Sequence, residues 1–120
     1  MIDAREQIKD LLLTVCSNVK MSKPDGDVTL PLICYAETSN LSVNVAYDRI
    51  RWRVAVYCNT FAELVELVNK VDAAMAGLGF TRTYITPDDE ARKGTDLYLK
   101  RLDYSALINK EYNTVVRGSV

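Results

Sequence analysis

The chain has 120 residues, of which 48% are hydrophobic and 26% are charged, and its formal net charge is −1. This length and composition predict a globular chain with a single hydrophobic core, and they exclude an intrinsically disordered one. The slightly acidic balance argues against a protein that grips nucleic acid over a broad surface, because such surfaces are usually basic.

No segment approaches the ~18 apolar residues that a membrane-spanning helix needs, so we expect no membrane partner. The first residues lack a basic segment and a small-residue cleavage site, which predicts that there is no signal peptide. We therefore expect residues 1–120 to form one domain, with a tail from about residue 109 that shows no clear pattern.

The first predicted helix runs from Asp3 to Val19. Asp3 and Glu6 have the spacing of an N-cap residue and a carboxylate in the first turn. Apolar residues then recur at helical spacing, which predicts one buried stripe. These residues are Ile8, Leu12, Val15 and Val19. A run of turn-forming residues, 22–27, follows the helix.

The next region contains the predicted strands of the first half of the sheet. Leu32–Ala36 is short, apolar and framed by turn residues, which predicts a strand. The alternating residues between Leu41 and Asp48 fit either a strand or an ordered loop. Arg51–Cys58 is the clearest strand in the chain, because its side chains alternate in character. Its two expected faces are Trp52, Val54, Val56 and Cys58, and Arg51, Arg53, Ala55 and Tyr57.

The second helix has clear start and stop signals. Thr60 and Glu63 form a capping-box pattern, and Gly79 stands where a left-handed residue ends a helix. The apolar residues between them repeat every three or four positions, and we expect them to pack on the sheet. They are Phe61, Leu64, Val68, Val71, Met75 and Leu78. A further strand is predicted directly afterwards, from Phe80 to Thr86.

The last predicted strand, Leu97–Leu107, follows a polar loop. Its apolar residues change parity part-way, and a β-bulge near Lys100 and Arg101 would reconcile them. The element order predicts an α+β fold: a mainly antiparallel sheet of about four strands with two helices packed on one face.

The residues offer little support for catalysis. The chain has no histidine, which removes the commonest general base and most zinc chemistry. Cys16, Cys34 and Cys58 lie in apolar segments without a C-x-x-C pair, so we expect buried free thiols. We predict no catalytic residue, no cofactor and no metal ligand, and we expect the chain not to be an enzyme.

Two motifs have both a functional and a structural interpretation. Gly77 and Gly79 resemble a dinucleotide-binding turn, but they follow a helix and precede a strand, which is the reverse of the required order. An acidic loop offers oxygen ligands for a hard cation. Its carboxylates are Asp88, Asp89, Glu90 and Asp96. Arg92 and Lys93 in the same loop compete for them, so we favour a solvated loop.

Basic residues on neighbouring predicted strands form a third motif. They are Arg49, Arg51, Arg53, Arg82, Lys100 and Arg101. Stacking aromatic residues would be needed to bind nucleic acid through a sheet. The candidates are Tyr57, Tyr84, Tyr98 and Tyr104. An alternative function is therefore a small binding module that recognises a peptide or nucleic acid on its sheet face.

Five segments together carry a family resemblance. They are the helix Asp3–Val19, the segment 30–37 (LPLICYAE), the strand Arg51–Tyr57, the helix Thr60–Leu78 and the turn 79–82 (GFTR). In this order, and over nearly the whole chain, they resemble tail terminator proteins of long-tailed bacteriophages. These proteins are also called tail-completion or tail-to-head joining proteins.

The resemblance implies a structural role. Such a protein caps the tail tube as a ring, commonly a hexamer, ends tail polymerisation and joins the tail to the head connector. The implied partners are further copies of the chain, the tail-tube protein and the head-connector protein, while DNA passes through without specific binding. The implied location is the virion tail, after assembly in the host cytoplasm, and the isolated subunit can be a monomer.

The predicted assembly surface consists of two segments, Asn40–Asp48 and Pro87–Asp96. Both are too polar to fill the core and too long for minimal hairpin turns, and long loops often carry function. We expect them to contact partners in the ring or to project towards its lumen, where carboxylates would keep DNA from binding. The candidate residues are Asn44, Tyr47, Arg49, Asp88, Asp89, Glu90, Arg92 and Asp96.

Overall fold

The computed structural model describes residues 4–21, 29–86, 97–111 and 114–115. In chain order the elements are α1 (Arg5–Leu13), β1 (Val19–Met21), β2 (Leu32–Ser42), β3 (Tyr47–Cys58), α2 (Phe61–Leu78), β4 (Thr81–Ile85), β5 (Tyr98–Asn109) and β6 (Thr114–Val115). The strands form one sheet in the order β1-β2-β3-β5-β4, and β6 pairs with the end of β5.

The sheet confirms the predicted α+β class. Every strand pairing is antiparallel except the short parallel pairing of β1 with β2. The sequence predicted about four strands. The structure adds two short ones, β1 with three residues and β6 with two, which lack any local alternation long enough to signal them.

The second helix, α2, has the predicted capping. The Thr60 hydroxyl oxygen accepts a hydrogen bond from the Glu63 backbone N–H at 3.2 Å, and Gly79 takes a φ of 101°. That left-handed conformation suits glycine, which has no Cβ to clash. The residues of α2 that are buried against the sheet are Leu64, Leu67, Val68, Val71 and Met75.

Phe61 does not belong to this buried stripe, and its predicted place in the core is wrong. Its side chain is 48% exposed at the first position of α2. Its ring lies 6.5 Å, centroid to centroid, from that of Tyr98, the first residue of β5. Phe61 therefore packs against Tyr98 at the surface instead of entering the core.

The first helix, α1, is shorter than predicted because a strand replaces its last part. Ile8 and Leu12 are fully buried in α1 as expected. Val15 and Val19 also pack against the core, but Val19 does so from β1, paired with Ile33 of β2. Hydrogen bonding to β2 competes with helix propagation here, and only the folded chain brings that partner close.

Both helices cover the same face of the sheet, as predicted. One cluster of buried residues joins Ile8 of α1 and Val71 of α2 to the facing residues of β3 and β5. The β3 alternation is also confirmed, because Trp52, Val54, Val56 and Cys58 all belong to that cluster. We call this the inner face of the sheet, and the opposite face the outer face.

The parity change in β5 has a different cause from the one predicted. Pairing with β3 runs without interruption from Tyr98 to Asn109, so there is no bulge near Lys100 and Arg101 in this pairing. Leu99 instead lies on the outer face, in a small second cluster. The members of that cluster are Leu32, Cys34, Ala55 and Leu99. Apolar residues occupy both faces of β5, and the chain itself stays regular.

A polar link ties α2 to the sheet. The Tyr104 hydroxyl donates to Asp72 Oδ1 at 3.0 Å, and Arg82 Nη1 lies 3.2 Å from Asp72 Oδ2. Burial, and secondly the nearby Asp72 carboxylate, raises the pKa of Tyr104 above its ordinary value. The phenol thus stays protonated and keeps its donor role.

Candidate functional site

The β2–β3 hairpin is the first candidate surface. The sequence predicted a long polar loop over Asn40–Asp48, and this is wrong. Strand β2 continues to Ser42 and β3 begins at Tyr47, so only residues 43–46 connect them. The alternation seen in the sequence between Leu41 and Asp48 thus belongs largely to paired strands, and the turn between them is compact.

Asn44 builds the turn. Its side-chain Oδ1 accepts hydrogen bonds from the backbone N–H of Ala46 at 2.8 Å and of Tyr47 at 3.0 Å. The backbone N–H of Val43 donates to the Tyr47 carbonyl oxygen at 3.0 Å. An asparagine side chain that bonds backbone groups two and three residues ahead stabilises a turn locally. Asn44 was predicted as an interface residue, and its contacts in the structure are those of a turn-forming residue.

Lys110 holds the hairpin turn from the end of β5. Its Nζ donates to the Asn44 carbonyl oxygen and to Ser42 Oγ, both at 2.7 Å, and lies 3.3 Å from Asp48 Oδ1. Its backbone N–H donates to the Ala46 carbonyl oxygen at 2.8 Å. Asp48 is only 5% exposed, so the ammonium neutralises a buried carboxylate. The turn is therefore fixed by bonds at both its ends.

The fixed hairpin presents apolar side chains to solvent. Val45 is 96% exposed, Leu41 54% and Val43 51%. We call these three residues the apolar tip. None of residues 43–46 carries a charged side chain. Exposed apolar residues that lie together and are held rigidly are typical of contact surfaces, whereas scattered single ones are ordinary.

Only part of the predicted interface set can be located. Asn44, Tyr47 and Arg49 lie close together, at the turn and in the first residues of β3. The remaining candidates fall outside the described residues, and the prediction that they contact partners stays a prediction. They are Asp88, Asp89, Glu90, Arg92 and Asp96. The sequence interpretation had missed the apolar tip, because Val43 and Val45 have the same alternation that a half-buried strand would show.

The outer face carries a column of arginines along β3. Arg49, Arg51 and Arg53 pair directly with Leu107, Ser105 and Asp103 of β5, so their side chains share the outer face with those residues. Arg53 donates to both carboxylate oxygens of Asp103, at 2.8 Å and 3.3 Å. These hydrogen bonds raise the pKa of Arg53 above its ordinary value. Arg49 Nη1 donates to Ser105 Oγ at 3.4 Å.

The predicted basic face is smaller than the sequence suggested. Lys100 pairs with Val56, which is a core residue of the inner face, and Arg82 reaches Asp72 of α2. Neither therefore joins the outer-face column. Among the candidate stacking residues, Tyr98 and Tyr104 also pack on the inner-face core. Tyr57 and Tyr84 are the two that remain for the outer face.

An open cleft lies beside this arginine column. Its volume is about 240 Å³. Small and apolar groups of β2 and β3 contribute much of the lining, and polar atoms stand among them. The lining residues are Cys34, Tyr35, Ala36, Thr38, Arg53, Ala55, Tyr57 and Arg101. The bulge between Glu37 and Ser39 of β2 displaces Thr38 from regular pairing at one end of the cleft.

The cysteines are buried free thiols, as predicted. Burial raises the pKa of the Cys34 thiol, partly opposed by Lys20, and burial raises that of Cys58 to about 12. Both thiols are therefore protonated near neutral pH, and a protonated thiol is a poor nucleophile.

Within the described residues, no group of three or more His, Cys, Asp or Glu side chains is placed to hold a metal ion. None of the helices described is both long and apolar enough to cross a membrane. No protein-family model matches the chain, and a search of curated proteins finds no match either. The hairpin and the outer face therefore have to be interpreted from their own chemistry.

Proposed function

We propose that this chain is a structural assembly protein of a long-tailed bacteriophage that caps the tail tube as a ring. In this role it ends tail polymerisation and joins the tail to the head connector. The observation that supports the proposal best is the apolar tip, which is exposed on a turn fixed by Asn44 and Lys110. The sequence resemblance supplies the identity of the assembly.

An assembly subunit needs surfaces that are unsatisfied in the free chain and already in the right shape. A mobile apolar loop would lose conformational entropy on docking, whereas a fixed turn has lost it during folding. Residues 43–46 meet this requirement, because four hydrogen bonds from Ala46, Tyr47 and Lys110 hold them before any partner arrives. Covering the exposed valines with a partner then removes apolar surface from water, which favours association.

The charge pattern suits a ring through which DNA passes. The formal net charge is −1, and Asp103 neutralises part of the arginine column on the outer face. A strongly basic lumen would hold DNA through its phosphates and slow its passage. The segment 88–96 adds four carboxylates to the chain, and we propose that they face the lumen.

Reconstitution with the tail-tube protein from the same genome tests the proposal. Purified chain is added to polymerising tube protein, and the products are measured by electron microscopy. We expect a ring at one end of each tube and a reduced growth of capped ends. Tubes that grow to the same lengths and stay uncapped at any concentration of the chain would refute the proposal.

Variants locate the surface in the same assay. Val45→Asp, which places a charge on the apolar tip, should abolish capping. Val65→Asp makes the same change at an exposed site on α2 and serves as the matched control. Deleting residues 88–93 should leave the circular dichroism spectrum unchanged while abolishing tail completion in infected cells. Normal particle yield after that deletion would show that the segment is a passive connector.

The outer face supports a second candidate function, a binding module for an acidic peptide or nucleic acid. Its basis is the β3 arginine column beside the cleft. Arg51 is exposed and lines a second depression with Thr38 and Thr83. Binding of single-stranded nucleic acid that weakens steeply with salt, and that Arg51→Ala reduces, would favour this candidate over the ring.

A further inference from the structure

We propose that the apolar tip of one copy of the chain docks in the outer-face cleft of the next copy. The inference rests on the proposed ring and identifies the contact that would build it. Both halves of the contact lie on the described part of the sheet, and each is incomplete in the isolated chain: the tip is uncovered and the cleft is open.

The tip has the chemistry of an inserting group. Val45 has almost its whole side chain in water, and the turn that carries it has no charged side chain. Its backbone is held by Asn44 and by Lys110 from β5. Inserting it would therefore desolvate no charge of its own, which is the main cost of burying a polar loop.

The cleft has the size and lining of a receiving group. Its volume of about 240 Å³ exceeds the ~150 Å³ of a cavity that can hold benzene, so one or two valine side chains fit. Ala36 and Ala55 contribute small side chains to its lining, and Tyr57 an aromatic ring. Arg101 and Arg53, whose guanidinium is already hydrogen-bonded to Asp103, line it too.

The positions of the two features exclude their contact within one chain. Ala55 of the cleft and Tyr47 beside the tip belong to the same strand, β3, eight residues apart. Eight residues of antiparallel strand span about 27 Å, so a chain cannot fold its own tip into its own cleft. The same residues of a neighbouring molecule have no such constraint.

The contact joins two different patches, so it is heterologous. Each copy uses its tip on one neighbour and its cleft on the other, and repetition of such a contact closes into a ring or grows as a helix. An isologous dimer would instead place the same patch opposite itself. The proposed geometry thus links a local apolar contact directly to ring assembly.

Two complementary variants test the contact. Val45→Asp places a charge on the tip and leaves the cleft unchanged, whereas Ala36→Glu places a charge in the cleft and leaves the tip unchanged. Thr38→Trp fills the cleft from an exposed position and replaces Ala36→Glu if that variant fails to fold. Val65→Asp on α2 is the matched control. Circular dichroism checks each fold, and analytical ultracentrifugation up to millimolar concentration measures the mass.

The wild-type chain and Val65→Asp should self-associate with increasing concentration. Val45→Asp or Ala36→Glu alone should lower the association constant by at least about a hundredfold, because a charge enters an apolar contact, and Thr38→Trp should lower it by filling the cleft. An equimolar mixture of a tip variant and a cleft variant should form a one-to-one dimer and nothing larger. Only one intact tip then meets one intact cleft.

Three results would overturn the contact: a wild-type chain that stays monomeric throughout, self-association unaffected by Val45→Asp, or a variant mixture without dimer. If Val45→Asp abolished tube capping but not self-association, the tip would contact the tube protein instead, and the proposed function would stand without this contact. If the mixture dimerised but the wild-type chain never capped tubes, the contact would stand and the proposed function would fail.

Discussion

Apolar side chains are buried in one region of the molecule, between α2 and the sheet, and exposed to solvent in another, the β2–β3 hairpin. Beneath α2, Leu64 and Val71 are fully buried against β3 and β5. At the hairpin, Leu41, Val43 and Val45 stand in water although polar bonds hold their backbone firmly. The core buries its apolar surface during folding, whereas the apolar tip stays exposed in the isolated chain.

Rigidity and burial are separable in this fold. The inner face is ordered by packing, so its stability depends on side-chain volume. The hairpin turn is ordered by hydrogen bonds and one ion pair, so its shape persists without apolar contacts. Substitutions in the first region, or in the ion pair that holds the hairpin, should therefore change the free energy of unfolding. Substitutions in the exposed apolar tip should change association. We expect the effect on stability to decrease from the residues under α2 to the apolar tip.

The largest effect is expected under α2. Leu64→Ala should lower the free energy of unfolding by about 2–5 kcal/mol, because it leaves a cavity at a fully buried site. Urea denaturation measures the change. Val65→Ala, at the next position but exposed, is the control and should stay within about 0.5 kcal/mol. Equal effects of the two substitutions would show that the helix does not pack in this register.

The next effect is expected at the ion pair that holds the hairpin. Lys110→Met keeps most of the side-chain stem but removes the ammonium beside the buried Asp48 carboxylate, and it should cost about 1–3 kcal/mol. Adding Asp48→Asn removes the uncompensated charge, so the double variant should be more stable than the sum of the single changes predicts. Strict additivity would mean that the two residues do not interact.

A pH effect of intermediate size is expected from Cys58. Burial raises the pKa of its thiol from 9.0 to about 12 in the folded chain. The contribution of this protonated thiol to the free energy of unfolding is therefore complete below the pKa of the unfolded chain. It is lost progressively as the pH rises towards the pKa of the folded chain. Relative to Cys58→Ala, the wild-type chain should lose on the order of 1 kcal/mol of unfolding free energy between pH 7 and pH 10. Parallel pH profiles of the two proteins would argue against a buried thiol.

The smallest effect on stability is expected at the apolar tip. Val45→Asp should change the free energy of unfolding by less than about 0.5 kcal/mol, because the side chain has no core contact to lose. The same denaturation experiment measures it, and self-association shows the contrasting loss. A strong destabilisation would reveal that the tip packs within its own chain, which would remove the distinction between the two regions.

The sequence determined the elements that local patterns encode. Strand β3 alternates because one face is buried, and α2 has its cap at Thr60 and its stop at Gly79, so both could be read from neighbouring residues. The burial of the three cysteines followed from their apolar surroundings in the same way. The interface candidates stay predictions: Asn44 forms the hairpin turn, and the exposed valines beside it were not among them.

Only the tertiary structure decided features that depend on distant partners. Strand β1 replaces the end of the first helix because β2 offers it hydrogen bonds. The apolar pattern of β5 changes parity without a bulge, because Leu99 belongs to a second apolar cluster on the outer face. Lys110 fixes a turn that lies 66 residues earlier in the chain. Local periodicity reports which side of an element is apolar, but it contains no information about which remote segment will meet that side.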